Sequence, residues 1–160
     1  MRKTINFLVN IALVIAASAF IWILYQHYFV DLRTPEPINA GSPFQLVDID
    51  WTENTRTLVI VLKKDCGFCT DSAGFYQRIL QSAREKRIGT VAVLPTDLDQ
   101  SLEYLKALRL DFGDVKQANY ADIGVKGAPT ILIVDQKGDV IKMWVGKLGQ
   151  EAENQVMEML

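Results

Sequence analysis

Cys66 and Cys69 are the two cysteines of a 160-residue chain, and they stand in the order Cys66-Gly67-Phe68-Cys69. Thiols separated by two residues can close a small disulfide ring, so the pair can hold or release two electrons without another cofactor. The first thiol follows an apolar run, Thr57-Leu58-Val59-Ile60-Val61-Leu62, and precedes Tyr76, Ile79, Leu80 and Ala83 at helical spacing. A strand that turns directly into a helix places Cys66 near the helix N-terminus, where unsatisfied N–H groups and the dipole favour an anion. A thiolate, the form that attacks disulfides, is expected to be favoured there. The plainer reading of the pair is a stabilising disulfide. Its loop is so short that the chain-entropy gain falls well below the ~3 kcal/mol of a 15-residue loop, which leaves redox chemistry as the better reading.

Composition removes several other chemistries. Net charge is −2, from 17 basic and 19 acidic residues, with no basic block to track a phosphate backbone, so nucleic acid is not an expected partner. One histidine, His27, and two cysteines are too few for a zinc site or a Cys-His protease. A c-type haem attachment needs histidine after Cys69, and the residue there is Thr70. Neither metal nor cofactor is expected.

The segments that must carry and position the pair can be read in order. Arg2 and Lys3 precede Ile5 to Leu24, in which Asn6, Asn10 and Ser18 are the clearly polar members. About 20 such residues span the ~30 Å hydrocarbon core of a bilayer. This reads as an N-terminal membrane anchor over 1–29, its basic end cytoplasmic and Trp22, Tyr25 and Tyr28 at the outer boundary. The competing reading is a cleaved signal with Ala17-Ser18-Ala19 at the cleavage site. Either one exports the domain. Residues 30–43 contain Pro35, Pro37 and Pro43 and read as an extended linker, leaving 44–160 for one domain.

Within that domain the alternation of Phe44 to Ile49 suggests an edge strand, and Thr57 to Leu62 a strand covered on both faces. The cysteine helix extends to Lys86, Thr90 to Leu94 repeats the buried-strand pattern, and Leu98 to Leu110 has helical spacing. Strand, helix and strand in succession make a parallel, right-handed unit. A weaker helical segment, Ala118 to Ile123, leads to Gly127-Ala128-Pro129-Thr130. Ile131 to Val134 and Val140 to Val145, joined by Asp135-Gln136-Lys137-Gly138, form a hairpin with a bulged or type I turn. Gln150 to Leu160 is a closing helix. The fold class is therefore α/β, and Trp51 and Trp144 are read as packing residues.

This order of elements, with Cys-x-x-Cys at a helix start and Gly-x-Pro-Thr before a hairpin, resembles the thioredoxin fold, a central mixed sheet flanked by helices. The segment Gly127 to Asp135 followed by Gly138 is similar to the proline segment of membrane-anchored, extracytoplasmic bacterial proteins of the TlpA and ResA type. The resemblance covers about Phe44 to Leu160, and the long stretch from Gly89 to Leu110 fits the extra strand and helix of the anchored group. It implies that Pro129 is cis and sits against the cysteines. It also implies that Cys66 attacks, that Cys69 resolves, and that Gly67, Phe68, Ala128, Pro129 and Thr130 meet the substrate polypeptide, Ala128 through its backbone.

The chain departs from the thioredoxin pattern in places. Asp65 stands before Cys66 where tryptophan is usual, and Gly67-Phe68 replaces Gly-Pro between the cysteines. The acid expected six residues before the first cysteine is Ile60. Asp71 is one position away from a glutamate of the ResA type, and Gly74 stands where thioredoxins have a kinking proline. Lys63 and Lys64 add positive potential that Asp65 opposes.

The resemblance implies an anchored thiol–disulfide oxidoreductase facing the periplasm or cell exterior. Its partners are protein disulfides or dithiols and an upstream membrane electron donor or acceptor, and reduction is preferred by analogy. The alternative is a redox-inactive thioredoxin-fold binding module on a membrane complex. A thiol peroxidase is weaker still, because the Thr-x-x-Cys of such pockets is replaced by Lys63-Lys64-Asp65 before Cys66.

Overall fold

Leu58, Val59, Ile60, Val61 and Leu62 are apolar in succession and fully buried, which a strand allows only when both its faces are covered. In the computed structural model, which describes residues 2–25 and 38–160 and leaves undescribed the side chains at 2–10, 12, 23 and 25, the first four of these lie in β1 (Arg56–Val61). The other strands are β2 (Gly89–Leu94), β3 (Asp114–Gln117), β4 (Thr130–Asp135) and β5 (Val140–Val145). They form a mixed sheet in the order β3-β2-β1-β4-β5. β1, β2 and β3 are parallel; β4 runs antiparallel to β1, and β5 to β4.

Among the helices, α1 (Arg2–Tyr25) belongs to a unit of its own, Met1–Pro35. Its described apolar side chains, Ile11, Leu13, Val14, Ile15, Phe20, Ile21, Trp22 and Leu24, are exposed, and Ser18 Oγ donates back to the Val14 carbonyl at 2.8 Å. Among the described residues no helix is long and apolar enough to cross a membrane. The span expected over Ile5 to Leu24 lies partly on side chains outside the described residues, as do Tyr25, His27, Tyr28 and the linker as far as residue 37.

The second unit carries α2 (Gly67–Asp71), α3 (Ala73–Glu85), α4 (Leu98–Ala107) and α5 (Gln150–Met159). The steps from β1 to β2 and from β2 to β3 go toward the same edge, and right-handed crossovers in one direction put their helices on one face. Accordingly Tyr76, Ile79 and Leu80 of α3, Leu105 of α4 and Val156 of α5 share one cluster with Leu58, Ile60, Ile131 and Ile133 of the sheet. The opposite face, Val59, Val61, Val91, Val93, Leu132 and Val134, carries no α-helix among the described residues. Ile38, Phe44 and Leu46 come in from before β1, and Ile123 and Val125 from before β4. Each such buried side chain stabilises by roughly 1.5–3 kcal/mol, so these irregular segments are part of the core.

That second face explains most differences from the sequence expectations. Residues 38–43, expected in the linker, are tied to the domain by Ile38 N to Gly124 O at 3.2 Å and Gly41 N to Val140 O at 2.7 Å. Phe44 to Ile49 is not a strand. Pro43 makes one bridge to Asp139, Asp48 turns the chain at φ 58°, and the alternation serves to bury Phe44 and Leu46. Ala118 to Ile123 is not a helix but turns closed by Asp122 N to Asn119 O and Gly124 N to Ala121 O. β3 has no counterpart in the sequence expectations: an edge strand reading Asp-Val-Lys-Gln carries charges in place of an apolar pattern. α4 stops at Ala107, short of the expected Leu110, because Arg109 turns left-handed at φ 56°, and Leu98 and Leu102 of its apolar spacing are exposed. The hairpin turn closes through Gly138 N to Asp135 O at 3.0 Å with a register shift at Ile133/Val134. Gly138, at φ 87°, is packed by Trp51, whose Cδ1 would lie 3.0 Å from an added Cβ.

Candidate active site

Sheet pairing carries β1 one residue further, through Leu62 N to Val93 O at 2.9 Å, and then the chain leaves the sheet. Asp65 makes the turn at φ 59°, a left-handed conformation that aspartate tolerates better than most residues. The residue that departs from the thioredoxin pattern thus has a local structural role. Cys66 comes next as the N-cap of α2: its Sγ accepts the Cys69 N–H at 3.3 Å, and its carbonyl accepts the Thr70 N–H at 3.0 Å and the Thr70 hydroxyl at 3.2 Å.

The expected single cysteine helix is two, divided at Ser72. The Ser72 N–H and its hydroxyl both donate to the Phe68 carbonyl, at 3.2 and 2.8 Å, and Ser72 takes φ −89°, ψ 0°. A serine bonded back to the carbonyl four residues earlier bends a helix. The bend is therefore at Ser72, and Gly74, two residues later, lies within α3.

Both thiols are free. Cys66 is half-buried, whereas Cys69 is 0 % exposed and packs among Leu58, Ile60, Phe75 and Tyr76. Burial pushes the Cys69 thiol up to about 12, and its hydrogen bond with Cys66 pushes the same way against the opposing Lys63 backbone N–H.

Across from the pair, the bond between Ala128 and Pro129 is cis. Cys66 Sγ lies 3.9 Å from the Ala128 carbonyl, so residues 62 apart in sequence meet here. Pro129 is buried, and its carbonyl accepts the Gly146 N–H at 2.7 Å. Thr130, grouped with the substrate-contacting residues on sequence, is 0 % exposed; its hydroxyl donates to the Gly127 carbonyl at 2.7 Å, so it braces the loop from inside and offers no surface. Gly67 is exposed and Phe68 is 61 % exposed beside the reactive pair. Asp71 is exposed and paired with Lys147 at 2.9 Å, and Ile60 is buried among hydrocarbon side chains. Lys63 is exposed and Lys64 half-buried. Among the described residues no cluster of ligating groups could hold a metal ion.

The profile of the thioredoxin-like domain family matches residues 51–160. The chain belongs to that family. This thioredoxin-like chain is similar in fold to a thiol:disulfide interchange protein, DsbE, from Chlorobium tepidum, at 20% identity and a TM-score of 0.60, covering 76% of this chain and 97% of the other. It is also similar to a thiol:disulfide interchange protein from Bacteroides sp., at 15% identity and a TM-score of 0.57, covering 78% and 88%. Peroxidoxin BcpB from Mycobacterium tuberculosis matches as well, at 12% identity and 0.60, covering 76% and 95%. None of the curated proteins matches the chain. At these identities the likeness is one of fold, and the chemistry rests on the residues of the site.

Sequence reasoning missed three tyrosines around the cysteines. Tyr76 of α3 reads as core alone in the sequence, and Tyr104 of α4 and Tyr120 before β4 do not stand out there. Burial raises the pKa of all three hydroxyls, and charge on Cys69 and Cys66 raises it further. Tyr120 donates to the Leu62 carbonyl at 3.0 Å. The one signal in the sequence was chemical: a tyrosine in an apolar pattern brings a hydroxyl that needs a partner.

Proposed function

We propose that the protein is a thiol–disulfide oxidoreductase that reduces disulfides of partner proteins outside the cytoplasmic membrane. The observation that carries this reading is a half-exposed free thiol fixed at a helix start, opposite a cis-proline loop, with a fully buried second thiol one helical turn behind it.

Cys66, as thiolate, attacks a partner disulfide; a Cys66–partner bond forms and one partner sulfur leaves. Cys69 then attacks Cys66 Sγ, the Cys66–Cys69 disulfide forms, and the second partner sulfur leaves as a thiol. The protein gives up two electrons and two protons, and an upstream dithiol donor at the membrane restores it. Among the described residues nothing bonds the Ala128 N–H. That free donor supports strand-like pairing with an extended substrate. Exposed Gly67 and Phe68 border the same approach, and Pro129 shapes it from beneath. Reduction is preferred over oxidation by analogy with the TlpA and ResA type that the proline segment resembles. Anchoring by Ile5 to Leu24, with the domain outward, rests on the apolar composition of that segment and on Arg2 and Lys3 before it.

A redox-inactive binding module is the second reading, and one observation favours it: no carboxylate is among the groups that shift Cys69. Trapping separates the two. With Cys69→Ala, the first step proceeds and the second cannot, so mixed disulfides accumulate in membranes. We expect a thiol-reversible adduct through Cys66 to a protein exposed on the outer side. No adduct in that variant, with folded protein present, would leave the binding module standing.

A further inference from the structure

Release of the product requires Cys69 to attack as a thiolate, yet burial pushes its thiol well above the usual thiol range. The usual remedy is a nearby polar group that supports the charged form. The position from which thioredoxins supply a carboxylate is Ile60, inside the hydrocarbon core. Asp71 is exposed and paired with Lys147. Apart from Asp65 at the exposed turn, the charges that shift the three tyrosines are those of Cys66, Cys69 and, for Tyr76 and Tyr120, Tyr104.

Tyr120 bonds the Leu62 carbonyl. Tyr76 faces the Ser72 hydroxyl and Tyr104 the Thr70 hydroxyl. Tyr104 is set apart by the enclosure of its oxygen. Its hydroxyl oxygen is shut off from solvent and has no hydrogen-bond partner among the described residues. It sits beside Thr70, whose hydroxyl is already given to the Cys66 carbonyl, and its ring packs on the cluster that holds Cys69. A buried, unpaired hydroxyl is a cost that folded proteins avoid unless the group is used in another state.

We propose that Tyr104 is a positioning residue for the resolving step, its O–H held in reserve by α4 to donate a hydrogen bond to the Cys69 thiolate as it forms ahead of its attack on Cys66. This rests on the oxidoreductase reading above. The bond changes are those of the exchange itself: the Cys69 S–H proton passes, in net terms, to the departing partner sulfur, the Cys66–Cys69 bond forms as the Cys66–partner bond breaks, and Tyr104 is unchanged at the end.

The test uses the reduced full-length protein and 5,5′-dithiobis(2-nitrobenzoate), which releases one thionitrobenzoate when Cys66 attacks and a second when Cys69 resolves. In Tyr104→Phe we expect the second phase to slow about tenfold or more, the range of a hydrogen bond to a charged group, with the first phase within about twofold of wild type. The pH at which the second phase accelerates should also rise in the variant, a change that lost packing does not produce. Thermal stability should hold or increase, since the substitution removes an unpaired buried hydroxyl. Equal second phases with the same pH profile, or both phases slowed alike, overturn the role of Tyr104. A wild-type protein with no second phase overturns the oxidoreductase reading first, and this inference with it.

Discussion

With Cys66 replaced by serine, the protein reduces insulin disulfides at least a thousandfold more slowly, an order of magnitude set by the loss of the thiolate nucleophile. A serine hydroxyl neither ionises near neutral pH nor forms a mixed disulfide, so the exchange stops at its first step. The fold should remain intact. Serine is a preferred N-cap, and at this position the side chain already accepts the Cys69 N–H. The unfolding midpoint is therefore expected to move by no more than about 1 kcal/mol equivalent. Turbidity of insulin under dithiothreitol measures the first effect and urea denaturation the second. Activity persisting in the serine variant at more than a few per cent would place the chemistry elsewhere.

Ile60→Asp has the largest expected effect on stability. It introduces the acid that thioredoxins hold at this place, but here the strand position is 0 % exposed among Leu58, Leu62, Ile131 and Ile133. A carboxylate there loses its hydration and gains no cationic partner. The destabilisation is expected at about 3–5 kcal/mol near pH 7. The pH dependence has a definite sign. Burial raises the folded-state pKa of the new acid above its unfolded value, so the loss is smallest below the unfolded pKa and grows as pH rises through the folded one. Urea midpoints at pH 5 and pH 7 test this: the gap from wild type should widen at the higher pH. An unchanged midpoint at pH 7 would mean that the site is wetter than its packing indicates.

The parts of the fold legible in sequence are those whose residues answer to one constraint. Leu58 to Leu62 is apolar on both parities because both faces are covered, and the hairpin is marked by Gly138, which alone fits the left-handed turn against Trp51. Both read directly. β3 did not, because Asp114 and Lys116 at a sheet edge answer to solvent rather than to pattern. Phe44 and Leu46 alternate as a strand does, yet they serve as plugs for a sheet face that no α-helix covers among the described residues.

The site divides the same way. Cys66 and Cys69 announce themselves by type and spacing, and the proline segment by its resemblance. Thr130 shared that motif but faces inward. The tyrosines come from three separate elements, and only the packing of α3, α4 and the turn before β4 brings their hydroxyls near the sulfurs. Spacing along the chain carries no trace of that. The bend at Ser72 was hidden too, since it depends on a hydroxyl reaching back to Phe68 rather than on the nearby glycine.

The central claim is that these two sulfurs trade two electrons with a protein disulfide. Reduced, full-length protein mixed anaerobically with excess insulin, followed by thiol counting and mass analysis, measures it directly. One intramolecular Cys66–Cys69 disulfide should appear for each insulin disulfide opened. Both cysteines still free after prolonged incubation, with the insulin intact, would contradict the account.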